Sequence, residues 1–417
     1  AALNCVFMGF ILLISFQNRF RRFKAHRHQL ARAVAVISFI KKQFWILRHR
    51  FLYRGLRLLA LPLLLGLLGL LYYWGSQPTL QEIKPKAYPP PQKSHLLGWY
   101  LPGHEGRTHI PRALHLGTDL GFKPQIISSY LAWKPLKQQP FPKEHIDSIF
   151  AAQAYPLLTW EPWLAQFPLP DTSSLPAEDL RRITRGQLDE YLEKMAAHFA
   201  HFNKPIFVRF AHEPDNPQYP WHSKHPQAAR HYRAAWRYLR RFFHAHGLEQ
   251  LIWVYNPWKA AQADAYFPGA QQVDWLGITA LNYGYAVDSS FDAPLHHLYE
   301  PFRRTRSFQQ DLPVMLAEMG TLPSPSGEEK WFATAAKKLQ TYPEIQACVW
   351  FGATHDLNLP PGKNGKPLNW YQQRTGLAKL ISWSQNVSPP QSIPQANINT
   401  AREKSTQPFT LTSLVHY

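Results

Sequence analysis

Glu213 and Glu318 stand where working groups are expected. Glu213 lies in Pro205-Ile-Phe-Val-Arg-Phe-Ala-His-Glu-Pro-Asp215, and Glu318 in Leu312-Pro-Val-Met-Leu-Ala-Glu-Met-Gly320. In each segment a short apolar, β-branched run gives way to polar residues, the pattern of a buried strand emptying into a loop. Two carboxyl groups converging on one pocket can share a task. One, held protonated, gives H⁺ to a leaving oxygen, while the other, ionised, attacks the carbon that oxygen leaves. This is the minimum equipment for cleaving a glycosidic bond, and the retaining form of the reaction sets the pair about 5–5.5 Å apart.

The elements that must position this pair follow from the same periodicity. The two glutamates are 105 residues apart. That is three βα units of roughly 35 residues, the spacing from strand 4 to strand 7 of an eightfold barrel. Apolar runs predict strands at Leu96–Leu101, Gln125–Leu131, Pro156–Trp160, Pro205–Phe210, Leu251–Tyr255, Trp275–Asn282, Pro313–Ala317 and Gln346–Phe351. Helical patterns fall between most of them, at Glu144–Gln153, Gln187–Phe202, Gln227–His246, Leu295–Gln310, Glu328–Leu339 and Trp370–Ser382. Helices after the first and fifth strands are poorly marked. The alternation predicts an α/β fold, a (β/α)8 TIM barrel over residues 95–383.

At these residues the chain resembles glycoside hydrolase family 26, whose best-known members are β-mannanases of the retaining barrel clan. The resemblance runs over most of 96–375. It is carried by Arg209-x-x-His212-Glu213 with Tyr219-Pro-Trp221, and by Thr159-Trp-Glu-Pro-Trp163, Gly186-Gln-Leu-Asp189, Leu281-Asn-Tyr283 and Leu316-Ala-Glu318. It implies that Glu213 is the acid/base and Glu318 the nucleophile, and that His212 orients the site or contacts the sugar. The residues after the acid, His212-Glu-Pro-Asp-Asn216, depart from the His-Glu-Met-Asn-Gly of many mannanases, and the resemblance implies that this loop lines the subsites next to the cleavage point.

Other residues receive supporting roles on physical grounds. An Arg on a barrel strand is costly unless paired, so Arg209 is expected to hold a catalytic carboxylate ionised. Tyr283, ending strand 6, is expected to donate a hydrogen bond to Glu318. Trp160, Trp163, Trp221, Trp258 and Trp350 fall at or just past strand ends, where flat rings can floor sugar subsites. Asn256 is placed to contact a sugar, whereas His355 carries no assignment. No Walker loop or His-Glu-x-x-His segment occurs, and the paired histidines read as surface groups, so neither metal nor organic cofactor is expected.

Charge separates the chain into two unlike parts. The formal net charge is +19, yet residues 1–81 hold 12 Lys/Arg and no acid, leaving 34 Lys/Arg against 27 acids in the other 336 residues. A domain that nearly neutral is no nucleic-acid surface, although 15 Trp and 19 Tyr supply rings that could stack on bases. The early basicity reads instead as topology. All 12 basic residues precede an uncharged apolar run, Leu58–Trp74, that ends in Tyr-Tyr-Trp. Its 17 residues make roughly 25 Å of helix, enough to cross a bilayer core. Positive residues stay on the cytoplasmic side, so 1–57 is expected inside, with an earlier span at 3–16 and an interfacial segment at 33–47, and everything past Trp74 outside. Residues 75–94, with Tyr-Pro-Pro-Pro-Gln, read as a stiff spacer, and 384–417 as a disordered tail.

These expectations combine into a membrane-anchored, extracytoplasmic retaining endo-β-glycosidase acting on β-1,4-mannan or a related polysaccharide. Two other readings use the same residues: a catalytically weak glycan-binding partner of polysaccharide synthesis or export machinery, and a transglycosylase.

Overall fold

The computed structural model describes residues 37–39, 95–170, 174–358 and 365–385. The chain divides into units of residues 1–81 and 82–417, and all that follows concerns the second. The expected spans at 3–16 and 58–74, the spacer at 75–94 and the tail past Gln385 lie outside the described residues. Among those described, no helix is long and apolar enough to cross a membrane.

Eight parallel strands close into a barrel in sequence order: β1 (Leu96–Tyr100), β2 (Ile126–Ala132), β3 (Tyr155–Glu161), β4 (Ile206–Phe210), β5 (Leu251–Tyr255), β6 (Trp275–Asn282), β7 (Val314–Thr321) and β8 (Ile345–Phe351). Each is nearly all buried, because one face meets the barrel interior and the other the helices. Around them run α1 (Ile110–Asp119), α2 (Lys143–Ala151), α3 (Arg181–Thr184), α4 (Asp189–Ala200), α5 (Ala228–Ala245), α6 (Ala260–Tyr266), α7 (Leu295–Arg303), α8 (Glu328–Leu339) and α9 (Leu377–Gln385).

The expected strands are all present, and β7 runs four residues further than expected, taking in Glu318. The helices missed in the sequence are the four-residue α3 and, among the longer ones, two: α1 and α6. The first carries Pro near its start and buries only Ala113, Leu116 and Gly117, too small a stripe to read; the second has seven residues and buries only Ala263 and Tyr266. The segment expected as one helix from Trp370 begins as a 3-10 turn, Trp370–Gly376, before α9. The helix expected to reach Gln310 stops at Arg303.

The inward positions of the strands change character along the barrel axis. At the lower end Leu96, Ile126, Leu157, Phe207, Ile252, Val254, Trp275, Met315, Ala347 and Val349 form a closed apolar plug. Two residues later on β3 and β4, and two beyond Val254, the inward positions become Thr159, Arg209 and Asn256, joined to one another by hydrogen bonds. A period of two residues therefore stacks a polar layer at the strands' C-terminal ends upon an apolar floor.

One small residue lets this barrel close. Gly98 on β1 faces Ile126 across the ladder, and a Cβ there would overlap the Ile126 carbonyl. Gly98→Ala is expected to cost about 3 kcal/mol or more, read as a lowered urea midpoint at unchanged slope. A midpoint equal to that of the native chain would show that the two strands can part at no cost.

Candidate active site

The rim of β4 is built on a strained turn. Ala211 and Glu213 both have positive φ, 42° and 50°. Each side chain in that region costs on the order of 1–2 kcal/mol, so the conformation must be held from outside. It is held from both flanks. Ala211 N–H donates to the carbonyl of Trp160 (3.0 Å) at the top of β3, and Glu213 N–H to that of Asn256 (2.7 Å) just past β5. The Trp221 indole caps the His212 carbonyl at 2.9 Å. Strict strand alternation would send His212 and Glu213 to opposite faces; the two left-handed residues bring both side chains to the rim.

Glu318 reaches the interior by a different device. Along β7 Val314 and Leu316 pack outward under the helices, while Met315 and Ala317 face inward. Alternation would then send Glu318 out. A register shift against β6 and a second against β8 insert an extra residue here. Met319 consequently packs outward, and Glu318 joins Ala317 on the inner side, its side chain 9% exposed. A β-bulge thus re-aims the second carboxylate.

The two carboxylates meet in one hydrogen-bonded layer. Arg209, wholly buried, donates to Glu318 Oε1 at 2.7 Å, and the Tyr130 phenol donates to the same oxygen at 2.6 Å. The guanidinium also donates to Thr159, Asn256 and the Tyr130 oxygen. Glu213 accepts from Thr279 Oγ1 at 2.6 Å and from Asn216 Nδ2 at 2.7 Å. Thr279 is also the residue that pairs with Glu318 across the β6–β7 ladder, so a single rung carries the link between the two acids.

Their environments divide their roles. Burial, and after it the charge of Glu318, pushes the Glu213 carboxyl up to about 7. Among the described residues no cation touches it, and its side-chain partners are a hydroxyl and an amide. Glu318 instead sits on the Arg209 guanidinium as a buried ion pair. Burial pulls the Arg209 guanidinium down, but Glu318 and Tyr130 more than offset this and leave it above its ordinary value. One acid raised toward neutrality with only neutral hydrogen-bond partners, beside one paired with a cation, is the division of labour that acid-assisted displacement needs.

Several expected roles fall differently. The phenol that donates to Glu318 belongs to Tyr130 on β2, whereas Tyr283 stands edge-on to Trp370, with ring centroids 5.2 Å apart, in the apolar rim cluster. Trp160 and Trp350 are not platforms. They follow the inward Thr159 and Val349, so alternation turns both outward and buries them fully against other core rings. Trp221 is buried as well, lying parallel beneath Tyr219 at 4.5 Å. Asn256 is buried and spends its side chain on Arg209 and the Pro257 carbonyl, which leaves it no sugar-facing group. Trp163 and Trp258 stay partly exposed at the rim. His212 is buried with Nε2 2.9 Å from the Tyr219 hydroxyl. Burial, followed by the charge of Arg209, holds its imidazole well below the ordinary value, hence neutral.

The unusual residues after the acid have structural work. Asn216 steadies Glu213, and Asp215 accepts the backbone N–H groups of Trp258 and Lys259 (2.7 and 2.8 Å), tying the β4 loop to the β5 loop. Tyr130, Thr159, Asn216 and Thr279 were not picked out from the sequence. Tyr130 carried a usable signal, a tyrosine at the end of a strand, the same criterion that selected Tyr283. Among the described residues no group of three or more His, Cys, Asp or Glu is placed to hold a metal ion.

Comparison with known proteins agrees with this geometry. Residues 171–311, spanning the β4 acid and its loop, match the model of glycosyl hydrolase family 26. That stretch, about a third of the chain, is what resembles the family. It is 23% identical over 295 residues to Endoglucanase H of Acetivibrio thermocellus, a match covering 66% of this chain and 30% of that much longer protein. Among solved structures, the barrel aligns with a β-mannanase from a symbiotic protist of the termite Reticulitermes speratus, complexed with gluco-manno-oligosaccharide. That alignment has a TM-score of 0.50 at 16% identity, and covers 74% of this chain and 92% of the other. The likeness extends to the fold.

Proposed function

We propose that the barrel is a retaining endo-β-glycosidase that cleaves β-1,4-mannan or a related β-glycan by double displacement. The observation that carries this reading is the pairing of Glu213, bonded only to a hydroxyl and an amide, with an Arg-held Glu318 in one buried layer. Glu213 gives its proton to the glycosidic oxygen as Glu318 attacks the anomeric carbon, so that the C–O bond to the leaving sugar breaks and an ester to Glu318 forms. Esterification removes the charge of Glu318, one of the two causes that raise Glu213. The Glu213 carboxylate can then take a proton from water, whose oxygen displaces Glu318 from the sugar. Arg209 and Tyr130 hold Glu318 in one rotamer and accommodate its return to a carboxylate.

Support for a β-linked glucan or mannan substrate comes from the names of the two relatives, one an endoglucanase and one a mannanase. Support for an anchored, extracytoplasmic location comes from the uncharged run at 58–74 and the basic stretch before it, and a polymer emerging from a synthesis or export machine is then within reach.

The test is hydrolysis of β-mannan, mixed-linkage glucan and xylan by the full chain, with product anomers followed by NMR. Retained anomers are expected, and inverted ones would take the nucleophile role from Glu318. Binding with no cleavage, unchanged in Glu213→Gln, would favour a glycan-binding protein, and products longer than the substrate a transglycosylase.

The pH dependence has a definite sign. Glu213 must carry its proton to act, and it loses that proton as pH rises through about 7. Accordingly kcat/KM is expected to fall above pH 7, approaching tenfold per pH unit. A profile flat to pH 9 would remove Glu213 from the acid role.

A further inference from the structure

A third carboxylate lies beside the pair and has no part in the reaction above. Glu161 ends β3, its side chain 13% exposed. Burial raises it to about 7, against the Trp163 hydrogen bond and the Arg209 charge, with Glu318 adding to the rise. One oxygen, Oε2, accepts from the Trp163 indole N–H at 3.0 Å. The other, Oε1, stands 4.0 Å from His212 Nδ1, and that buried nitrogen has no hydrogen-bond partner among the described residues. Two polar atoms thus face one another across a gap too wide for a direct bond.

The gap adjoins a cavity of about 380 Å³ between the ends of β2 and β3, lined by Tyr130, Glu161, Trp163, Glu105, Lys134 and Gln139. That is within the range of small-ligand pockets, about 300–1,000 Å³. Tyr130 belongs to both the cavity wall and the Glu318 site, so whatever fills the cavity is adjacent to the cleavage point. The wall is preformed. Arg182, fully buried, donates to the carbonyls of Leu164 (2.8 Å), Ala177 (2.7 Å) and Pro168 (2.7 Å), fastening the loop that follows Trp163.

The charges at the cavity select its occupant. Glu105 is paired with Arg107 at 2.8 Å, and Lys134 offsets it at the same wall. Glu161 feels the charge of Glu318, and among the described residues Arg209 is the buried cation that acts on both. An ionised sugar acid there would meet like charge in a water-poor site, whereas a hydroxyl can donate to a carboxylate oxygen, a charge-assisted bond of the stronger kind. A flat indole beside the carboxylate suits the apolar face of a sugar ring.

We propose that Glu161 is a substrate-binding residue whose Oε1 accepts a hydroxyl of an uncharged sugar seated in the β2–β3 cavity, and whose charge turns uronic-acid units away. This deepens the glycosidase reading and rests on it. Trp163 supplies the ring on which that sugar lies.

The test compares the full chain with its Glu161→Gln variant. Gln keeps an oxygen for the Trp163 indole, so the fold is preserved, with a melting temperature no lower than that of the native chain. The substrates are β-1,4-mannohexaose and a mixed-linkage glucohexaose, with β-1,4-hexamannuronate as a competing ligand. On whichever hexasaccharide the native chain cleaves faster, the variant is expected to lose about 10- to 100-fold in kcat/KM, the worth of one hydrogen bond to a charged group. Hexamannuronate is expected to inhibit the variant at a concentration at least about 10-fold lower than the native chain, the worth of relieving one buried like-charge contact. A purely structural role for Glu161 would not tighten binding of an acidic oligosaccharide. A variant within twofold of the native chain, with unchanged inhibition, overturns the assignment and leaves the glycosidase intact. A native chain that cleaves neither hexasaccharide overturns both.

Discussion

Glu318→Gln is expected to lower kcat by about 10⁴- to 10⁶-fold, the scale on which loss of a covalent nucleophile is felt. The amide is isosteric and can still accept from Arg209 and Tyr130, which donate to Glu318 Oε1 at 2.7 and 2.6 Å in the native chain. The fold and ligand binding should therefore survive while the attack on the anomeric carbon does not. The discriminating measurement uses substrates with an activated leaving group and added azide. A small anion can enter where the carboxylate stood after Glu318→Ala and attack from the same side, giving a glycosyl azide of inverted configuration. The same rescue applied to Glu213→Ala should give a retained azide, because Glu318 still forms the ester and azide replaces only the base-assisted water. Identical azide products from the two variants would show that the roles are not divided as the environments indicate.

Arg209→Met is expected to be the other large effect, on stability and turnover together. The guanidinium meets Glu318, Tyr130, Thr159 and Asn256, and removing it leaves a buried carboxylate and three polar groups without their common partner. Breaking one side of a buried ion pair costs roughly 3–5 kcal/mol. Much of that cost is the stranded charge, so the Glu318→Gln background should absorb it. In a double-mutant cycle followed by urea denaturation, Arg209→Met is expected to cost at least about 2 kcal/mol less when residue 318 is already Gln. Turnover should fall by about 10³-fold or more, since Glu318 loses the donor that holds its carboxylate in place for attack. Simple additivity of the two substitutions would mean that Arg209 acts on the barrel as a whole rather than through Glu318.

The strained β4 rim also explains why the two carboxylates differ in what the chain discloses about them. Glu213 stands in a run of motif residues, Arg209, His212, Tyr219 and Trp221, three of which contact one another within that rim, Tyr219 on the imidazole and Trp221 on the His212 carbonyl, while Arg209 reaches across to Glu318. Glu318 depends on a bulge that no local pattern announces, because a bulge is a relation between neighbouring strands rather than a property of one.

The sequence by itself determined the alternation of strands and helices, the barrel, and the two acids at the ends of the fourth and seventh strands. Those are consequences of local periodicity, where apolar runs bury both faces of a parallel strand and polar residues begin where the strand ends. It also determined that a cation on β4 must serve a buried acid, since an unpaired guanidinium there could not be tolerated. Only the tertiary structure decided which tyrosine touches Glu318, which tryptophans look outward, and that Glu161 shares the cleft. Tyr130 and Tyr283 are equivalent as strand-end tyrosines, but strand register and the β6–β7 bulge place Tyr130 on the nucleophile and Tyr283 on Trp370. Trp160 and Glu161 are adjacent in sequence, and one residue of pleat separates a core ring from a carboxylate facing the cavity. Which of two neighbours faces the cleft depends on pairings among strands distant in the chain, and those exist only once the barrel has closed.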